Sequence, residues 1–179
     1  MVIGIELMGN IRRYYLSQRP VFITAVCCQR KPLLADDETK ALLLEVMREV
    51  KAGLIFRMLG YVIMHDHFHW IIRPANDGDF SKIMQSVKLR FVHRYKKRNR
   101  IENAIRIWQP RFWDHLIRNS EDLKRHLDYI HYNPVKHGVT FDPARYPWSS
   151  FNTYRSKGLY DAGWGVSQAP SQIGSMDLE

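Results

Sequence analysis

The stretch Val62-Ile63-Met64-His65-Asp66-His67-Phe68-His69-Trp70-Ile71-Ile72 decides the reading of this chain. Apolar runs on both sides of His67-Phe68-His69 predict a buried β-strand, whose side chains alternate between two faces. His67 and His69 therefore point the same way. Two imidazoles on one rigid strand face suit core packing poorly, because each carries ring nitrogens that need partners, and they suit a metal site well.

Working outward, Val21 to Cys28 is apolar and β-prone and reads as a first strand, buried on both faces. Leu43, Val46, Met47 and Val50 recur at helical spacing after the acidic Asp36-Asp37-Glu38, and Gly53 marks the end of this first helix. Leu54 to Met64 gives a second strand and His67 to Pro74 a third, joined as a hairpin. Phe80, Ile83, Met84, Val87 and Phe91 form a second helical stripe, and Ile105 to Arg118 reads as a fourth strand that Pro110 bends or breaks. The order β-α-β-β-α-β predicts an α+β fold: a ferredoxin-like split β-α-β antiparallel sheet, with strands one and three central. A third helix begins at Asn119-Ser120, carries Leu123, Leu127 and Ile130 on its apolar face, and is expected to stop at Pro134. It is free to cover the second sheet face, which would put helices on both. Asp142 to Tyr154 reads as a turn and short helix packed on the core.

The chain has 179 residues, enough for one ordinary core. A single domain over residues 12–164 is expected, with a flexible tail over 165–179, where Ser, Gln, Gly and Pro dominate. Lys plus Arg number 27 against 18 Asp plus Glu, which favours a polyanionic partner. The excess gathers in clusters: Arg12, Arg13, Lys88, Arg90, Arg94, Lys96, Lys97 and Arg98, with Arg111 further on, are candidate DNA contacts. Trp108, Phe112 and Trp113 are candidates for base stacking or for the core, and Arg111 and Asp114 flank them. Cys27 and Cys28 are neighbours in an apolar strand and cannot staple distant segments, so a reducing cytosol fits. No apolar run reaches the ~18 residues of a membrane span.

On the third helix, Asp122, His126, Tyr129 and Asn133 fall along one stripe. If that helix lies across the sheet, a phenolic oxygen, an amide and two imidazoles can surround one cation. Such a set suits phosphodiester chemistry, in which a metal polarises the phosphate and a tyrosine oxygen attacks. Tyr132 is a rival nucleophile, but it points away from the stripe.

These residues carry a resemblance. His67-Phe68-His69 resembles the signature of the HUH single-strand endonucleases. Met-x-Asp-His-x-His, WQPRFWD at Trp108 to Asp114, YIHYNPVKHG at Tyr129 to Gly138 and YPWSSF at Tyr146 to Phe151 are similar to motifs of the REP-associated tyrosine transposases, in the family order. The resemblance implies Tyr129 as nucleophile, forming a 5'-phosphotyrosine link and releasing a 3'-hydroxyl. It implies His67 and His69 as metal ligands and Asn133 as a third, with Mg²⁺ or Mn²⁺ as cofactor. It further implies single-stranded or hairpin DNA, typically a repetitive extragenic palindrome (REP), as substrate. His126 and Asp122 are candidates for activating the tyrosine. A bacterial, nucleoid-associated cytoplasmic protein is expected, as monomer or homodimer and without a membrane partner.

Where the family usually has proline this chain has His65, so His65, His67 and His69 form a comb that would suit Zn²⁺. Two alternatives follow: a zinc hydrolase using all three histidines, and a nucleic-acid-binding module that keeps the fold without cleavage. The two-histidine site is preferred, because strand alternation often fails at a hairpin turn.

Overall fold

A strand is driven to the middle of a sheet when both of its faces are apolar, and Val21–Val26 (β1) is buried at every position. The computed structural model describes residues 18–75, 79–167, 169–170 and 176. In it β1 lies between Trp113–Leu116 (β4) and His67–Pro74 (β3), and Phe56–Ile63 (β2) forms the other edge, giving the order β2-β3-β1-β4. Every pairing is antiparallel, and strands one and three are central as the element order predicts.

The period-2 alternation of β1 and β3 divides the molecule into two cores. Val21, Ile23 and Ala25 of β1, with Phe68, Trp70 and Ile72 of β3, pack under Asp37–Gly53 (α1) and Phe80–Arg98 (α2). Phe22 and Ile71 turn to the other face, where Leu127, Tyr129 and Ile130 of Ser120–Lys136 (α3) cover them. Each long helix opens on a side-chain cap, Asp36 on the amide of Thr39, Asp79 on that of Lys82 and Asn119 on that of Asp122. Beyond α3, a 3-10 turn at Pro143–Arg145 leads to the short helix Phe151–Arg155 (α4), as the aromatic segment predicts.

Two expectations need correction. The fourth strand is only four residues long, because Pro110 ends the ladder before it; Trp108 makes an isolated bridge to Cys27 instead. The third helix does not stop at Pro134 but runs to Lys136. A proline this close to a helix end removes one amide from the ladder and leaves a single turn to finish, while the Pro134 carbonyl accepts from Val139. The predicted tail falls mostly outside the described residues; Trp164 still packs on Phe151 and Tyr160, and Gly165 is buried at a φ of 73°. No helix among the described residues is long and apolar enough to cross a membrane.

Gly60 sets how closely α3 approaches β2, at a register shift between Met58 and Gly60. A Cβ there would stand 2.6 Å from Leu127 Cδ2. Gly60→Ala is therefore expected to lower stability by about 1–3 kcal/mol, read as an earlier urea midpoint with an unchanged slope.

Candidate active site

The side chains of His67 and His69 leave β3 on the α3 face, with ring centroids 4.7 Å apart. Asp66 accepts a hydrogen bond from His67 Nδ1 at 2.6 Å, and Thr24 Oγ1 lies 2.8 Å from His69 Nδ1. Both Nδ1 atoms are thus engaged, which orients both rings and turns the Nε2 atoms toward α3. Burial works to raise the Asp66 carboxyl, but the His67 N–H and the Arg30 guanidinium outweigh it and hold it below the ordinary carboxylate range. An ionised Asp66 in turn keeps the proton of His67 on Nδ1.

Opposite them stand Tyr129 and Asn133, one turn apart and fully buried. The Tyr129 ring meets His69 edge-on at 5.3 Å, and Asn133 Nδ2 is 3.4 Å from His69 Nε2. His67 Nε2 is buried with no hydrogen-bond partner among the described residues. A buried imidazole nitrogen left so, beside a second imidazole and a primary amide, is a donor set that fits a divalent cation.

The continuation of α3 beyond Pro134 adds a residue that the sequence reading missed. Lys136 lies seven positions after Tyr129, two turns along the same stripe, and its Nζ donates to Tyr129 Oη at 3.3 Å. The same ammonium is 5.0 Å from the ring centroid. The heptad spacing was visible, but only to a reading that let the helix pass the proline. His137, capping the helix, brings a third imidazole within 5.5 Å of the His67 ring.

His126 and Asp122 do not reach the tyrosine oxygen. Asp122 accepts from His115 Nε2 at 2.9 Å and from the Arg118 amide at 2.9 Å, and His126 Nδ1 donates to the Asp122 carbonyl at 2.8 Å. Burial works to raise the Asp122 carboxyl, yet the His115 bond, the Arg118 amide and the nearby imidazoles bring it down to about 2. Burial lowers His126. The Phe22 ring stands between this group and the histidine pair, 4.9 Å from His126 and 5.4 Å from His69. His65 is exposed at the hairpin bend and shares no ring contact with His67 or His69, so the comb of three does not form. Tyr132 packs on Trp164, away from the histidines.

The basic residues fall into two groups, those that meet partners within the fold and those that are exposed. α2 lies on the opposite sheet face from Tyr129, and several of its cations are used inside the fold: Arg94 pairs with Glu45 and Glu49, Arg98 with Thr39 and Asp36, and Lys96 with the Glu102 carbonyl. Lys88 donates to the Gln109 carbonyl at 2.9 Å and covers the Phe112 ring. Arg90, Lys97 and Arg111 are exposed, and Arg12 and Arg13 lie outside the described residues. Of the aromatics, Trp108 belongs to the first core, Phe112 packs on Phe80, and Trp113 alone is largely exposed, at 43%.

A split β-α-β sheet with paired histidines on a central strand and a tyrosine on the helix across it defines the class of single-tyrosine transposases. The family model described as "Transposase IS200 like" matches residues 17–133, and the chain belongs to that family. A REP-associated tyrosine transposase of Escherichia coli K12 is 35% identical over 159 residues, covering 88% of this chain and 91% of the relative. A relative from Haemophilus influenzae is 33% identical, covering 88% and 94%. The solved structure of a REP-associated tyrosine transposase bound to a REP hairpin superposes with a TM-score of 0.80 at 32% identity, over 96% of each chain.

Proposed function

We infer that this protein is a metal-dependent endonuclease and strand transferase that forms a 5'-phosphotyrosine link with hairpin or palindromic DNA, within one unit spanning residues 12–164. The observation that carries this reading is the Tyr129 ring against His69, with His67 Nε2 buried beside it and unpartnered among the described residues. His67, His69 and the Asn133 amide would hold Mg²⁺ or Mn²⁺. Such an ion, when bound, neutralises the charge that gathers on the phosphate oxygens. Tyr129 Oη bonds to phosphorus as the bond to the 3'-oxygen breaks; the phenolic proton is lost and the departing 3'-oxygen takes one up. Since the phosphodiester energy stays in the new ester, a 3'-hydroxyl can reverse the step. The REP hairpin held by the structural relative supports a hairpin substrate here.

Lys136 favours the attacking form, because an ammonium beside the hydroxyl stabilises a phenolate over a phenol. Lys136→Met is expected to slow strand cleavage about 10²-fold at neutral pH and to recover partly at pH 9, where hydroxide replaces the lost electrostatic help. Single-turnover rates at the two pH values check this, and equal losses at both would remove Lys136 from the chemistry.

The reading itself is tested with end-labelled hairpins drawn from palindromes beside the gene. Incubation with Mn²⁺ is expected to give an adduct that survives SDS and vanishes with EDTA. Hairpins retained in a native gel without any adduct would make the protein a binding module instead.

A further inference from the structure

A second group of ligating side chains lies on the same sheet face as the tyrosine, and the proposed cleavage does not use it. Asp122 and His126 are one turn apart on α3, a spacing that lets two helix residues chelate one ion. His115 reaches them from β4, where its backbone faces Phe22 in the ladder. The three ligand atoms lie within 4.8 Å of one another. His115 Nε2 is 2.9 Å from Asp122 Oδ2, and His126 Nδ1 is 3.2 Å from Asp122 Oδ1. The two imidazoles stack at 4.6 Å with 12° between their planes, and the Trp113 ring lies parallel to His115 at 6.1 Å. All three groups are therefore held in place by packing before any ligand arrives. Asp122 and His126 are buried, while the His115 side chain is 25% exposed and gives a path from solvent.

We propose that His115, Asp122 and His126 form a transition-metal site, separate from the histidine pair beside Tyr129, that ties edge strand β4 to the first turns of α3. Two imidazole nitrogens and one carboxylate oxygen, with a fourth position open toward solvent, suit Zn²⁺ or its neighbours over Mg²⁺. An ion there needs neutral imidazoles and an ionised Asp122, so uptake weakens as pH falls. Its effect on the reaction is positional. His126 precedes Tyr129 by less than one turn, so a clamp at His126 fixes where α3 crosses the sheet, whereas β4 has only four residues of ladder to hold it. Phe22 keeps this ion apart from the tyrosine.

The test is metal uptake by the metal-free full chain, followed by Co²⁺ absorption in the visible and by Tm with and without Zn²⁺. In His67→Ala/His69→Ala, which removes the first site, one equivalent of Co²⁺ should still bind with a low-symmetry spectrum, and Zn²⁺ should raise Tm. Adding His115→Gln or Asp122→Asn to that variant should abolish both signals, with circular dichroism confirming that each chain is folded. His115→Gln changes a side chain that is 25% exposed and is the milder of the two. Absence of uptake in His67→Ala/His69→Ala would overturn the proposal, as would uptake that survives both added substitutions. Neither result depends on strand cleavage, so the clamp and the phosphotyrosine reading fail separately.

Discussion

Tyr129→Phe is expected to abolish the SDS-resistant adduct completely while leaving the fold within about 1 kcal/mol of wild type. Loss of the only attacking oxygen removes a covalent step outright, and a nucleophile's deletion elsewhere costs on the order of 10⁶ in rate. The ring itself keeps its edge contacts with Phe22 and His69, so the phenylalanine fills the same space. Among the described residues the hydroxyl accepts from Lys136 at 3.3 Å, an exposed cation that water can satisfy. Tyr132→Phe is the matched control. Its ring lies against Trp164 and should leave the adduct at full yield. An adduct that survived Tyr129→Phe and disappeared with Tyr132→Phe would move the nucleophile to the other side of α3 and sink the proposed geometry.

What could be read from the sequence was local. His67 and His69 share a face because strand alternation is a property of neighbouring residues, and Tyr129 and Asn133 share one because a helix repeats every turn. Both periodicities survive into the structure. The sequence is silent where the deciding partner is distant along the chain. The basic residues of α2 were visible as a cluster, but the carboxylates Glu45 and Glu49 that engage Arg94 lie on α1, and no spacing rule connects them. His126 and Asp122 stood on the right stripe, yet their partner His115 arrives through β1–β4 pairing, which brings it beside Phe22. Lys136 was missed for a different reason: Pro134 was given its effect in mid-helix, where it breaks a ladder, although near a C-terminus it costs little.

The second large effect concerns acid. His131 is fully buried between α3 and α4, with Nε2 2.7 Å from Ser150 Oγ and Nδ1 2.8 Å from Tyr160 Oη. Tyr160 gives its own proton to Asp128 Oδ1 at 2.9 Å, so its oxygen accepts from His131 Nδ1, and Ser150 donates to Nε2. One neutral imidazole satisfies this chain of bonds; an imidazolium would present two donors to it. Burial accordingly pushes His131 down to about 3, from 6.5 in an unfolded chain. The unfolded state therefore takes up a proton that the folded state refuses, and the stability this provides is complete above pH 6.5 and lost as pH falls toward 3. At pH 5 the loss should be about 2 kcal/mol, from 1.36 kcal/mol per pH unit over the interval below 6.5. His131→Gln keeps a donor and an acceptor but cannot titrate, so its urea stability should fall by about 2 kcal/mol less than wild type between pH 7 and pH 5. His126 and the other histidines are common to both chains and cancel in the difference. Parallel pH slopes would mean that His131 accepts a proton without opening this face of α3, and the Ser150–His131–Tyr160–Asp128 chain would then not be what holds α4 against the helix that carries Tyr129.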